Sequence, residues 1–422
     1  MYHNLYNING YKILLLQNDI DNISVKSFIN TGYIDENKEN LGINHLLEHV
    51  LVNGNPHCKT DCITHMNRAG IYMNASTGLN LVSYYTSGIK TDLNKMLNYI
   101  FETTLNSKNI KEEIIEKEKK AVINELLQNS NNSLTRLWFN SNYNFYNYYG
   151  LQNFYNYKQQ FDNLKILNSD ILKKYYDEYY KNKKNVIFVI SGNFNKNELL
   201  YNINHLLNKY NAERTERTER TERTFSNIKN CFKLEKSSYY LKNDNIQNTT
   251  IILTFPSYIE NTIENLITLE IISKYIKNIG MEILRAKEEL IYSLQIDQVL
   301  NYCGTVVQVT LNVSNKNAKK TLNKFIEIIK HSFKKIYTEH IDGIIKSHNY
   351  LMNKQNVDSI IIFYENMYIN KIFNGCKEKI CEIEEFTDIY NNISEEQIKK
   401  LMPKVFNLDK MLLVYTSSVS MV

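Results

Sequence analysis

The most informative segment of this 422-residue chain reads Gly42-Ile-Asn-His-Leu-Leu-Glu-His-Val-Leu51. On a predicted helix, His45 and His49 lie one turn apart on the same face. Two imidazoles in that arrangement can hold one zinc ion. Glu48 faces the same side, where its carboxylate can take a proton from water. The H-x-x-E-H spacing therefore predicts a hydrolytic zinc centre. The alternative is a pair of ordinary histidines on an amphipathic helix.

A third zinc ligand is expected on the helix predicted at about residues 110 to 129. Glu125 lies in the apolar part of that helix, between Ile123 and Leu126, where an unpaired glutamate would be costly. Coordination of zinc gives its carboxylate a reason to be there. Glu118 lies two turns earlier on the same face and can accept a hydrogen bond from a ligating imidazole. The alternative for Glu118 is a solvated charge on a Lys/Glu-rich helix.

The combined pattern consists of His45-x-x-Glu48-His49 and the later pair Glu118 and Glu125. It resembles the pitrilysin family of zinc metallopeptidases, which includes insulin-degrading enzyme and the mitochondrial processing peptidases. The resemblance implies Zn²⁺ as the cofactor, with His45, His49 and Glu125 as its ligands. It also implies that Glu48 is the catalytic base and that Glu118 supports a ligating histidine. It covers essentially the whole chain apart from one low-complexity repeat.

Two further segments are similar to substrate-binding parts of that family. In the first, the resemblance implies that the edge of a predicted strand pairs with the peptide backbone through Asn74 and Ala75. In the second, it implies that Arg285 and Tyr292 engage the substrate and the developing oxyanion. A cation and a phenol can each donate to a carbonyl oxygen that gains charge. The family usually has glycine just before this tyrosine, where Leu290-Ile291 stands here.

The chain as a whole predicts an α+β fold with two homologous halves. Both halves contain blocks of strands and long helices, and buried strands at 184–191 and 409–416 occupy matching places. Four tandem Glu-Arg-Thr units with no apolar face separate the halves. We therefore predict a zinc-binding catalytic domain at 1–210, a linker at 211–226 and a homologous domain without metal at 227–422. The resemblance implies two sandwich-like halves that together form one clamshell half of a peptidase chamber.

Charge and hydropathy exclude two classes of partner. The net charge of +5 arises from lysines and acids interspersed along the chain. That distribution is typical of a solvated surface and argues against nucleic acid as a partner. No apolar run reaches membrane-spanning length, so we expect no membrane association. The polar N-terminal residues show neither a secretory signal nor an organelle presequence, and we expect a cytoplasmic location.

The six cysteines show no regular spacing, so we expect reduced thiols. A second zinc site formed by His57, Cys58, Cys62 and His65 stays open, although the cluster is too compact for an ordinary zinc finger. The alternative is a helix with incidental polar residues, in which Cys62 packs inward.

The sequence therefore predicts a zinc metalloendopeptidase that hydrolyses peptides or unfolded polypeptide segments enclosed in a chamber. Because the chain carries both the zinc set and the Arg285/Tyr292 pair, two identical copies could form two complete sites. We expect a homodimer, and a heterodimer with a related subunit stays open. The alternative function is that of a non-catalytic structural or assembly subunit of the same fold, like the core proteins of a respiratory complex.

Overall fold

The computed structural model describes residues 2–58, 61–146, 152, 156–210, 232, 237–243, 246–257, 259, 260, 262–301, 304–352, 357–373, 380–418 and 420. The chain forms two compact units, each built from three segments. Unit 1 comprises Met1–Gln128, Tyr149–Arg223 and Lys354–Lys377, and unit 2 comprises Asn129–Tyr148, Thr224–Asn353 and Glu378–Val422. Each unit thus draws on both sides of residues 211–226. These residues lie outside the described part of the chain, so their role as a linker stays a prediction.

Unit 1 contains a six-stranded sheet with the order β1-β2-β6-β3-β5-β4. Its strands are β1 Tyr2–Ile8, β2 Tyr11–Gln17, β3 Asn22–Ile29, β4 Tyr72–Thr77, β5 Val82–Ile89 and β6 Val186–Gly192. β2 and β6 run parallel, and the other neighbouring strands are antiparallel. On β3, Ile23, Val25 and Ile29 are buried at alternate positions because successive side chains point to opposite faces. β6 is buried along its whole length, as its apolar run predicts.

The first four helices of unit 1 are α1 Ile43–Asn53, α2 Cys62–Arg68, α3 Leu93–Leu105 and α4 Glu112–Asn131. Four more follow, at Tyr157–Leu164, Ser169–Tyr179, Lys196–Tyr210 and Val357–Phe373. The unit 1 core joins apolar residues of the sheet to Leu47 of α1 and Phe101 of α3. The last helix is tied to the sheet by Glu365, which accepts a 2.7 Å hydrogen bond from Lys26 of β3. Tyr364 of the same helix stacks on His3 of β1 with ring centroids 4.1 Å apart.

Unit 2 contains a five-stranded sheet with the order β7-β11-β8-β10-β9. Its strands are β7 Ser237–Lys242, β8 Asn248–Ser257, β9 Ile291–Asn301, β10 Gly304–Ser314 and β11 Leu412–Ser417. Its α-helices are α5 Ser133–Phe145, then Ile263–Gly280, Ala318–Ser332, Thr338–Leu351, Ile383–Asn391 and Glu395–Val405. A π-helix, Met281–Lys287, continues directly from the helix that ends at Gly280. α5 packs on β8, where the hydroxyls of Ser141 and Thr254 lie 3.1 Å apart.

The two sheets share one topology. The order β2-β6-β3-β5-β4 in unit 1 corresponds to β7-β11-β8-β10-β9 in unit 2. In each sheet the first pair of this series is parallel and the remaining pairs are antiparallel. The late strands β6 and β11 hold equivalent places, as the matching sequence patterns predict. The α+β fold class with two homologous halves is therefore confirmed.

The expectation of reduced thiols is wrong for one pair of cysteines. Cys58, in the turn after α1, and Cys62, the first residue of α2, form a disulfide with their Cα atoms 5.2 Å apart. That separation lies within the range that disulfides span. The second zinc site is also not supported, because both sulfurs are committed to each other. Cys381 is buried, and its thiol donates to the backbone carbonyl of Glu382 over 3.4 Å. None of the described helices is both long and apolar enough to cross a membrane.

Candidate functional site

One side of α1 packs in the core of unit 1, and the other side carries polar groups. Its buried apolar residues include Leu46, Leu47, Val50 and Leu51, as the helical spacing of these residues predicts. His45 and His49 are partly exposed, with 13% and 23% of their side chains accessible. Their ring centroids lie 5.0 Å apart. The predicted placement of two imidazoles one turn apart is therefore present in the structure.

A carboxylate from α4 meets both imidazoles. Glu125 Oε2 lies 3.4 Å from His45 Nε2 and 3.7 Å from His49 Nε2. Ligand atoms of these three side chains all lie within 4.8 Å of one another. Among the residues that the structure describes, no other group of three or more potential ligands comes together in this way.

The burial expected for Glu125 from sequence is wrong, although its carboxylate lies beside both histidines. The Glu125 side chain is 47% accessible, so the cost of burial does not explain it. Glu118 is the buried member of the pair, at 3% exposure, which rules out a solvated charge at that position. Glu118 Oε2 lies 3.3 Å from His49 Nδ1, on the far side of the ring from Glu125. This contact can fix the tautomer and orientation of the imidazole.

Glu48 lies between the two histidines in sequence and is buried, at 8% exposure. Burial raises the pKa of its carboxyl above the ordinary value, and the neighbouring His45 and the hydrogen bond from Thr77 act in the opposite direction. Thr77 Oγ1 donates to Glu48 Oε2 over 2.6 Å. Thr77 left no signal in the sequence, because only the folded sheet brings the end of β4 to α1.

Contact between His45 and Glu125 shifts the pKa values of the two side chains in opposite directions. Burial alone would lower the pKa of His45, but its hydrogen bond to Glu125 and the nearby charge of Glu48 outweigh burial and raise it. The hydrogen bond to His45 lowers the pKa of Glu125. Without metal, the imidazole and the carboxylate therefore stabilise each other as an ion pair.

The donor set fits zinc. Two imidazole nitrogens and one carboxylate oxygen are a ligand combination of hydrolytic zinc enzymes, in which a fourth position is left for water. A single ion placed among His45, His49 and Glu125 would replace the contacts that the three groups now make with one another. His49 also has the carboxylate partner that a ligating histidine usually has.

The predicted substrate-binding strand is an edge of the unit 1 sheet. β4 pairs with β5 on one side, and no described strand pairs with its other side. Asn74 and Ala75 lie in the middle of β4, and the Ala75 N–H donates to Asn74 Oδ1 over 2.8 Å. Because the end of β4 contacts Glu48 through Thr77, this free edge begins beside the candidate metal ligands. The roles of Asn74 and Ala75 toward substrate stay predictions.

Arg285 and Tyr292 lie in unit 2, on either side of a tight turn. Arg285 belongs to the π-helix, and Tyr292 is the second residue of β9, with 61% of its surface exposed. Glu289 between them has φ 50°, a left-handed conformation that glycine adopts most easily. The residue directly before Leu290-Ile291 thus adopts a backbone conformation that favours glycine, but it is a glutamate. The roles of Arg285 and Tyr292 stay predictions.

Comparison with known families identifies the chain. Residues 12–148 match the domain Insulinase (Peptidase family M16), and residues 167–347 match the Peptidase M16 inactive domain. The chain belongs to peptidase family M16. The first match contains the two histidines of α1 and Glu125 of α4, and the resemblance to a short, two-domain pitrilysin-type peptidase is confirmed.

Two solved structures share the fold of nearly the whole chain. A protease from Helicobacter pylori superposes with a TM-score of 0.80 at 16% identity, covering 99% of both chains. A peptidase M16 inactive domain from Pseudomonas fluorescens superposes with a TM-score of 0.82 at 12% identity, covering 100% of this chain and 99% of the other. These similarities show the M16 fold, and at such identities they carry no further conclusion.

One similar sequence comes from a respiratory complex. Core protein I of the mitochondrial ubiquinol-cytochrome-c reductase complex of Euglena gracilis is 27% identical over 118 residues, which are 28% of this chain and 24% of that protein. The match thus spans about a quarter of that relative's length.

Proposed function

We propose that the chain is a zinc-dependent endopeptidase that hydrolyses peptides or unfolded polypeptide segments. The observation that carries the proposal is the convergence of His45, His49 and Glu125 beside the buried carboxylate of Glu48. A family fold alone does not decide between catalysis and a structural role, because one fold hosts many functions. Zinc-dependent hydrolysis needs a set of zinc ligands with a general base beside it, and this observation therefore favours catalysis.

The protein groups have distinct tasks in this proposal. His45, His49 and Glu125 would hold zinc, and Glu118 would orient His49. Bound zinc supplies a Lewis acid that polarises the scissile carbonyl and makes water easier to deprotonate. Glu48 takes a proton from the attacking water and returns it to the leaving nitrogen. Its raised pKa brings its proton affinity closer to that needed near neutral pH.

The substrate is proposed to bind as an added strand. An extended peptide would pair with the free edge of β4 at Asn74 and Ala75, where the Asn74 side chain now accepts from the Ala75 N–H. Arg285 and Tyr292 would donate to the peptide and to the oxygen that gains charge. We also propose that two identical copies associate and complete each other's sites, with a related subunit as the alternative partner. The proposed location is the cytoplasm.

A second candidate is a non-catalytic structural subunit, which the similarity to core protein I favours. Metal analysis combined with cleavage of a peptide library separates the two. We expect about one zinc per chain and cleavage that is lost by orders of magnitude in Glu48→Gln, which keeps size but cannot take a proton. Glu113→Gln, the same change at an exposed position of α4, is the matched control. A zinc-loaded native chain that cleaves no library peptide would contradict the peptidase proposal.

Complementation tests the proposed dimer. Glu48→Gln inactivates one component, and the double variant Arg285→Ala/Tyr292→Ala inactivates the other. After subunit exchange, about half of the dimers are hybrids with one intact site of two, so activity should recover to roughly a quarter of native. Mass measurement must show that hybrids formed. Hybrids without activity would mean that the sites are not shared between identical copies.

A further inference from the structure

We propose that Glu36 is a positioning residue of the metal centre, which fixes the first turn of α1 and with it the ligand His45. This inference rests on the proposed function, since it concerns the same zinc ligands. Glu36 lies in the loop before α1, and only 4% of it is exposed. Nothing in the zinc chemistry described above uses its carboxylate.

The first turn of α1 cannot be capped in the usual way. A helix leaves its first backbone N–H groups without partners, and the side chain of the N-cap residue normally accepts from them. The N-cap of α1 is Gly42, which has no side chain and adopts φ 93°. An L-residue at that angle would be strained, and its Cβ would lie 3.4 Å from the Gln160 side chain. A capping group therefore has to come from elsewhere in the chain.

Glu36 supplies this cap from six residues upstream. Its Oε2 atom accepts a 2.7 Å hydrogen bond from the Gly42 N–H. Its Oε1 atom accepts from the backbone N–H and from the side-chain Nδ2 of Asn44, both over 2.9 Å. A negative charge at this end also complements the positive end of the helix dipole. Because His45 directly follows Asn44, the metal ligand sits in the turn that would otherwise fray.

A buried hydrogen-bond chain anchors the cap to the rest of unit 1. Asn44 Nδ2 also donates to the hydroxyl of Tyr175 over 2.8 Å, and that hydroxyl lies 2.9 Å from Thr31 Oγ1. Tyr175 belongs to the helix Ser169–Tyr179, and Thr31 follows β3. The start of α1 is thus tied to the sheet and to a second helix through Glu36 and Asn44.

Burial of the Glu36 carboxylate is energetically unfavourable. Burial raises its pKa to about 7, although the hydrogen bonds from Gly42 and Asn44 lower it. Burying an ionisable group without compensation would destabilise the fold. A neutral residue could fill the space at lower cost, but it could not accept three hydrogen bonds at a helix start.

Zinc affinity and amide exchange test the inference. In Glu36→Gln the amide NH₂ replaces an oxygen that now accepts, so it faces backbone donors and the cap is broken. We expect a zinc Kd about 10-fold to 100-fold higher, the range seen when groups that orient metal ligands are lost. In the metal-free variant, hydrogen exchange should accelerate at residues 42–46 and stay unchanged at the C-terminal turn of α1.

Glu365→Gln is the matched control. It removes another buried carboxylate of unit 1, one that accepts from Lys26 of β3 and not from α1. We expect it to lower the melting temperature while leaving the zinc Kd within about twofold of native. An unchanged zinc Kd together with unchanged exchange in Glu36→Gln would overturn the inference. If Glu36→Gln does not fold, Glu36→Asp replaces it, because the shorter side chain draws the carboxylate away from Gly42 and Asn44, and unchanged exchange at Asn44 and His45 would then overturn the inference.

The outcome is separable from that of the proposed function. If native protein binds no zinc, the proposed function fails, and exchange in the metal-free chain still decides whether Glu36 holds the first turn. If native protein binds zinc and hydrolyses peptides but Glu36→Gln behaves as native, the positioning role alone fails.

Discussion

Thr77 Oγ1 donates a 2.6 Å hydrogen bond to Glu48 Oε2, so a hydroxyl at the end of strand β4 fixes one oxygen of the carboxylate on α1. The same strand offers its free edge to substrate. The proposed base and the proposed substrate-binding edge are therefore held in register by one side-chain contact.

Substitution of Thr77 tests this contact with two nearly isosteric changes. Thr77→Val removes the hydroxyl and should lower kcat by about 10-fold to 100-fold, a part of what general-base catalysis contributes. KM and zinc content should change little, because the ligands are untouched. Thr77→Ser retains the hydroxyl and should restore most of kcat. Equal kcat in the valine and serine variants would show that the hydrogen bond does not matter.

Zinc should stabilise the folded chain through the three ligands. A ligand that binds only the native state at about 100 times its Kd adds about 2.7 kcal/mol to the free energy of unfolding. Thermal unfolding with and without zinc should show this shift in native protein and lose it in His45→Ala, His49→Ala and Glu125→Ala. His57→Ala is the control and should keep the shift. A shift that survives all three ligand variants would place the metal elsewhere.

His348 makes the stability of unit 2 dependent on pH. Burial lowers its pKa, as does Lys274, while Glu270 raises it, and its ring stacks on Tyr390 with centroids 3.6 Å apart. The unfolded state, with an ordinary pKa of about 6.5, therefore takes a proton before the folded state does. The stability that neutral His348 contributes to unit 2 is fully present above about pH 6.5 and is lost as the pH falls below that value.

His348→Phe keeps a ring at this position and removes the titration. The loss of melting temperature between about pH 7.5 and about pH 5.5 should be smaller in this variant than in native protein. His205→Gln, at an exposed histidine, is the control and should leave the native pH dependence in place. An identical pH dependence in native protein and His348→Phe would count against the burial effect.

Glu289 should respond to substitution according to its backbone conformation. At φ 50°, glycine relieves the clash of Cβ with the backbone, and a β-branched residue increases it. We expect Glu289→Gly to be neutral or up to about 1 kcal/mol more stable than native. Glu289→Val should be about 1–2 kcal/mol less stable. Denaturant unfolding measures both, and a valine variant as stable as the glycine variant would disprove the strain.

The fold was predictable where burial leaves a periodic signal. The helix predicted for the His45/His49 segment is α1 at Ile43–Asn53, and the strands predicted at 184–191 and 409–416 are the buried strands β6 and β11. β1 was missed because none of its residues is buried, and it is held by backbone pairing with β2 and by the stacking of His3 on Tyr364. Its side chains therefore carry no alternation to detect.

The candidate site was predictable as far as one helix determines it. His45, Glu48 and His49 are placed by helical spacing, whereas Glu125 and Glu118 needed the family resemblance to be joined to them. Glu36 and Thr77 left no signal, because a cap from six residues upstream and a strand end beside a helix arise only from tertiary structure. Such contacts have no fixed spacing in sequence.

The assignment of residues 354–377 to unit 1 has a consequence for synthesis on the ribosome. The helix at 357–373, with Glu365 paired to Lys26, is made long after the sheet that it joins. Unit 1 therefore waits for most of the chain to emerge before its last helix can dock. A nascent chain stalled at the Glu-Arg-Thr repeat would leave His3 and Lys26 of the sheet without the partners that this helix provides until translation resumes.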